Sequence, residues 1–76
     1  MKELIETIAR SIVDEPNVVS VTEVGGIKIS VLELKVAKAD IGKVIGKRGR
    51  TAGALRTILS AVSAKTRRRM VLEIVE

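Results

Sequence analysis

The apolar residues of this chain switch period along its length, from helical to alternating, back to helical and then to alternating again, and few folds satisfy that succession. Leu4, Ile5, Ile8, Ile12 and Val13 recur at helical spacing opposite Lys2, Glu3, Glu6, Arg10 and Asp14. This predicts an amphipathic helix from residue 2 to about 14, ended by Pro16. "VVSVTEV" (18–24) is rich in β-branched residues, and after the glycine pair at 25 and 26 comes "IKISVLELKVA" (27–37), so two strands joined by a tight turn are expected. In the second strand the alternation changes phase at Val31 and Leu32, which calls for a bulge or for one end buried on both faces. Asp40 is placed to cap a short helix over Ile41 to Ile45, "GKRG" interrupts it, and the helical period resumes at Arg50. Ala52, Leu55, Ile58, Leu59 and Val62 then share one face to about Ala64, and "MVLEIV" (70–75) reads as a closing strand. The order helix, strand, strand, helix, helix, strand predicts an α+β fold, a three-stranded sheet with the helices packed on one face.

Seventy-six residues leave room for one core and hence one domain, and with no cysteine that core is held by packing alone. The N-terminus alternates charged and apolar residues and does not resemble a signal peptide, and no run approaches the roughly 18 apolar residues of a membrane span. A cytoplasmic protein without membrane insertion is the expectation.

Charge is distributed unevenly. Residues 1–40 carry five cations and seven anions, whereas residues 41–72 carry nine cations and no anion, within a net charge of +5. Such asymmetry points to a polyanionic partner, nucleic acid first and an anionic membrane surface second. The membrane reading is disfavoured because the basic residues do not border a continuous apolar stripe. Catalysis is also disfavoured: histidine and cysteine are absent, and Glu3, Glu6, Asp14 and Glu15 lie on or just past the first helix as solvated charges. Cys and His zinc sites are excluded with them, and the sequence calls for no metal or cofactor.

The densest cationic stretch, "IGKVIGKRGR" (41–50), also holds three of the six glycines. It is not a nucleotide-phosphate loop. Three residues rather than four separate Gly42 from Gly46, and Arg48 rather than Ser or Thr follows Lys47. What remains is G-x-x-G between two helices, Gly46-Lys47-Arg48-Gly49. Glycines at its ends allow unusual backbone angles and close approach of a sugar-phosphate chain, and the start of the next helix adds unpaired amides and a positive dipole end. Lys47 and Arg48 supply full charges there, with Arg50 and Lys43 on its flanks. With no Phe, Tyr or Trp in the chain, bases cannot stack on aromatic side chains as they do on RNA-recognition sheets.

"VIGKRGRT" resembles the signature of the KH domain, a module for single-stranded RNA and DNA. The element order is similar to that of the type II version. Through "VLELKVAKADIGKVIGKRGRTAGALRTILSA" (31–61) and the terminal "VLEIVE", the whole chain resembles the KhpA family of small bacterial KH proteins. Two positions depart from the family pattern: Thr51, where an aliphatic residue is expected, and Gly53, where a longer side chain is. The resemblance implies that Gly46, Lys47, Arg48, Gly49, Arg50 and Lys43 contact the RNA backbone. About four bases would sit in an aliphatic groove lined by Ile41, Val44 and Ile45 with a strand residue such as Ile29 or Val31. It further implies homodimers, association with a KhpB (Jag-type) RNA-binding protein, RNA chaperone activity, and a link to cell wall growth and cell length. Single-stranded DNA is an alternative ligand, and a docking module with little RNA binding of its own is the rival function. Arg67, Arg68 and Arg69 read as solvated turn residues or as an auxiliary contact. With three to five cations engaged, binding should be weak, with a salt slope of roughly −2 to −3.5.

Overall fold

A computed structural model describes residues 1–76. Its elements are α1 (Lys2–Ile12), β1 (Ser20–Gly25), β2 (Ile29–Lys35), α2 (Ile41–Ile45), α3 (Arg50–Thr66) and β3 (Arg69–Val75). The expected order and class are observed. The differences lie at the ends: α1 stops two residues early, and Pro16–Val18 form a short 3-10 turn where the first strand was expected to begin. The amides of Val18 and Val19 donate within that turn, to the Glu15 and Pro16 carbonyls at 3.1 and 3.2 Å, so pairing starts only at Ser20. The hairpin turn spans Gly26 to Lys28, closed by the Gly26 amide donating to the Ile29 carbonyl at 2.9 Å.

β2 is the central strand, antiparallel to β1 and parallel to β3. Parallel pairing cannot be closed by a tight turn, so the chain between β2 and β3 must cross over, and α2, the "GKRG" loop and α3 make up that crossover. Side chains alternate across the sheet. Leu32 and Leu34 of β2, with Val21 of β1 and Leu72 of β3, are buried beneath the helices, where they form one core with Ile5 and Ala9 of α1 and Leu55 and Leu59 of α3. Ile58 and Val62 are half-buried at the rim of the α3 face.

The change of phase in β2 has neither of the expected causes in full. The ladder runs without a bulge from Ile29 to Lys35 on both sides. Instead, Ser30 takes a buried position facing the helices and satisfies its hydroxyl on the Glu23 carboxylate at 2.6 Å, while Ile29 and Val31 point to the uncovered face. On that face Val24, Val31 and Val71 are register partners in a row across all three strands.

Asp40 also departs from expectation. It stands at the position before α2, yet its side chain does not cap that helix. The carboxylate is 1% exposed and accepts the backbone amides of Asp14 and Glu15 at 3.2 and 3.1 Å, binding the segment after α1 to the start of α2. No helix of the chain is long and apolar enough to cross a membrane.

Hydrogen bonds to a charged acceptor contribute about 1.5–3 kcal/mol each, and the Asp14 and Glu15 amides, although at the surface, would lose both of theirs. Asp40→Ala is therefore expected to destabilise the fold by about 3 kcal/mol in urea unfolding, and Asp40→Asn, which keeps one acceptor oxygen, by less.

Candidate nucleic-acid interface

The "GKRG" loop is built from unusual backbone angles. Gly46 has φ 79° and ψ 167°, a region closed to other residues, and Gly49 is left-handed at φ 72° and ψ 16°. The two glycines are required for different reasons. A Cβ on Gly46 would lie 2.4 Å from the Thr51 hydroxyl oxygen and 2.8 Å from the Thr51 amide nitrogen, whereas a Cβ on Gly49 would meet nothing within 4 Å. Thr51, one of the two departures from the family pattern, is thus packed against the loop's first glycine. Gly53, the other, is exposed and has open space beside it.

Between the glycines, Arg48 is left-handed as well, at φ 58° and ψ 29°. An L-residue with a side chain gives up roughly 1–2 kcal/mol there. The loop closes with the Gly49 amide donating to the Gly46 carbonyl at 3.0 Å, and α3 starts at Arg50 with no side chain capping it. Its dipole end is left for solvent or an anion. Lys47, Arg48 and Arg50 are exposed at this spot, and none of them enters an ion pair.

Lys43 differs from these three. Its ammonium donates to the Asp14 carboxylate, and the Asp40 carboxylate lies 3.9 Å away. Its pKa is raised from the ordinary lysine value, chiefly by the hydrogen bond to Asp14; desolvation opposes this, and the fields of Asp14 and Asp40 each add a smaller upward push. Any stability this pair contributes is present throughout the neutral range and fades only as pH climbs past the ordinary lysine value. Both carboxylates near Lys43 are thus engaged with it, so it ties the segment after α1 to α2 and, unlike Lys47, Arg48 and Arg50, is not left without an acid.

The aliphatic residues expected to seat bases are not all brought together. Ile41 is half-buried against the core and Ile45 is 40% exposed beside the loop. Val44, at 0% exposure, lies inside the core and supports α2 from beneath. Ile29, 43% exposed, and Val31 stand on the uncovered face of the sheet, because the helices cover the opposite set of β2 side chains. No formed pocket accompanies the loop. Sequence reasoning missed the contribution of Asp14 and Asp40. An acid one residue before a short helix suggested only a cap, and nothing in the spacing linked it to residues 14 and 15.

A helix–strand–strand–helix–helix–strand chain with G-x-x-G joining the two crossover helices defines a KH domain of type II. The profile of the KhpA/KhpB KH domain matches residues 2–74, and the chain belongs to that family. An RNA-binding protein KhpA of Clostridium acetobutylicum is 55% identical over 75 residues, covering 99% of this chain and 100% of the relative. The RNA-binding protein KhpA of Aquifex aeolicus is 51% identical over 76 residues, with 100% and 96% covered, and that of Caldanaerobacter subterraneus subsp. tengcongensis is 48% identical over 75 residues, with 99% and 100% covered. No solved structure matches significantly.

The asymmetry between the glycines is measurable. Gly46→Ala is expected to cost about 3 kcal/mol or more in urea unfolding, since it combines a forbidden backbone region with a backbone clash. Gly49→Ala should cost only about 1 kcal/mol, the ordinary penalty of a left-handed residue in open space.

Proposed function

We propose that this chain is a single-stranded RNA-binding protein that clamps the RNA backbone with the Gly46-Lys47-Arg48-Gly49 loop. The observation that carries the reading is the convergence of three exposed cations without acidic partners, Lys47, Arg48 and Arg50, on the uncapped start of α3, at a backbone opened by two glycines. Phosphates approach the loop amides, and the cations neutralise about three of them. Unpaired bases lie against Ile41 and Ile45, with Val44 as their support. Lys43 contributes field at the margin, and Ile29 and Val31 play no part unless the strand passes to the other face of the sheet. The names of the relatives, all RNA-binding proteins, agree with this assignment. RNA rather than DNA is favoured on the same ground.

Binding through one loop is weak, so avidity from a second module would be needed for regulation. We assign the chain to RNA chaperone or post-transcriptional work in the cytoplasm, as a homodimer and with a KhpB (Jag-type) partner, in the control of cell wall growth and cell length. The uncovered valine row Val24, Val31 and Val71 favours protein docking as a second activity, compatible with the first. No catalytic role is proposed.

Titration of labelled unpaired RNA at two salt concentrations tests the clamp. The native chain should show a salt slope near −2 for a short strand, from about three phosphates at roughly −0.7 each. The folded double variant Lys47→Asp, Arg48→Asp should lose binding. Equal binding by both proteins, or binding by neither, would transfer the weight to the docking activity.

A further inference from the structure

A second cationic cluster lies at the opposite end of α3. The helix has 17 residues, which at about 1.5 Å each sets its ends about 25 Å apart, in a molecule whose longest extent is 34 Å. At the far end, Lys65 occupies the last turn of α3, Arg67 follows it, and Arg69 opens β3. The Arg69 amide donates to the Lys28 carbonyl at 2.9 Å, which joins the β1–β2 turn to the same cluster. Arg68 is already committed, with its guanidinium donating to the Gly26 carbonyl at 2.9 Å and lying 3.8 Å from the Glu23 carboxylate. Lys28, Lys65, Arg67 and Arg69 are exposed, and none of them enters an ion pair.

Two ordinary explanations fall short. Cations at a helix C-terminus offset the dipole, but that effect ends within the last turn, which accounts for Lys65 and Arg67 and not for Lys28 or Arg69. A solvated turn, for its part, needs no strain. Yet Arg67 is left-handed at φ 57° and ψ 29°, at the position after a helix where glycine or asparagine is the comfortable residue. Across the whole chain the residues other than glycine with positive φ are Arg48 and Arg67, one in each cationic cluster. Strain retained at an exposed arginine is a mark of use. The far cluster also borders exposed aliphatic surface, Val24, Ile27 at 93% exposure and Ile29, and so offers what the loop offers: cations beside aliphatic side chains.

We infer that Lys28, Lys65, Arg67 and Arg69 form a second contact for the backbone of single-stranded RNA, so that one strand longer than the loop can hold runs on to the far end of α3. The inference rests on the RNA-binding reading of the loop. It makes affinity and salt dependence functions of strand length: a strand touching the loop alone neutralises about three charges, and one reaching both clusters about seven, for slopes of about −2 and about −5.

The test titrates four-nucleotide and 16-nucleotide unpaired RNAs of one composition, over a range of salt, against three full-length proteins. These are the native chain, the loop variant Lys47→Asp, Arg48→Asp, and a far-cluster variant Lys28→Gln, Lys65→Gln, Arg67→Asn, Arg69→Gln. Arg68 is kept because it anchors the hairpin, and asparagine at position 67 suits the left-handed backbone, so urea unfolding should show the far-cluster variant folded. The expected result is unchanged binding of the short RNA by the far-cluster variant, with at least tenfold weaker binding of the long RNA and a slope returned from about −5 to about −2. Native-like binding of the long RNA by that variant would overturn the second contact while leaving the loop in place. Loss of the short RNA as well would overturn it too, since the cluster would then act only through overall charge. If the loop variant binds both RNAs normally, it is the clamp reading that fails. Vesicles of anionic lipid that bind the native chain and not the far-cluster variant, with RNA binding unaltered, would give the cluster to a membrane surface and sink the proposal.

Discussion

The buried carboxylate of Asp40 is the contact on which the working end of this domain depends. α2 is five residues long, far below the length at which a helix holds itself in water, so its position must be imposed by its surroundings. Asp40 imposes it by accepting two amides from the chain that leaves α1. Val44 adds a buried anchor on the same helix, and Lys43 reaches back to Asp14 from its outer side. The exposed pair between Lys43 and Asp14 is the weaker of these, since solvent screens it. Once α2 is fixed, Gly46 is fixed, and Thr51 packed against Gly46 sets where α3 begins.

That arrangement separates charges by purpose. Acids gather where α1 meets α2, and they occupy Lys43. Beyond Gly46 the cations of the loop enter no ion pair, and the same is true of Lys65, Arg67 and Arg69 at the far end of the long helix. On the binding reading proposed above, a ligand rich in phosphate meets the molecule at places where the protein has left its own attractions unsatisfied. The lack of aromatic rings has a counterpart here too: each of the two clusters has an exposed aliphatic side chain nearby in the chain, Ile45 at one end and Ile27 at the other.

Much of the architecture was legible in the sequence because periodicity reports which side chains share a face. The face shared by Leu32, Leu34 and Val36, the helical stripe of Ala52, Leu55 and Leu59, and the break at "GKRG" all carried into the structure. Periodicity does not report which face receives the helices. Ile29 and Val31 were as apolar as Leu32 and Leu34, and only the packing of α1 and α3 assigned one pair to the core and the other to the open side. Val44 was ambiguous for a similar reason, since a five-residue helix shows barely more than one turn of pattern. Asp40 was out of reach altogether, because it is satisfied by the amides of residues 14 and 15, distant in sequence, and no local rule encodes such a pairing; Ser30 finds Glu23 across the hairpin, but only the register of the two strands brings them together.

On the same proposed reading, the two left-handed arginines place stability and recognition in opposition. At each of these positions glycine or asparagine would relax the backbone, so a population selected for heat resistance alone would drift away from arginine and gain from doing so. Such a lineage would unfold later and hold its ligand less well. A consensus or stability-guided redesign of this domain that leaves positions 48 and 67 free to vary would therefore erode the charge on which both ends of α3 rely, while every folding assay reported improvement.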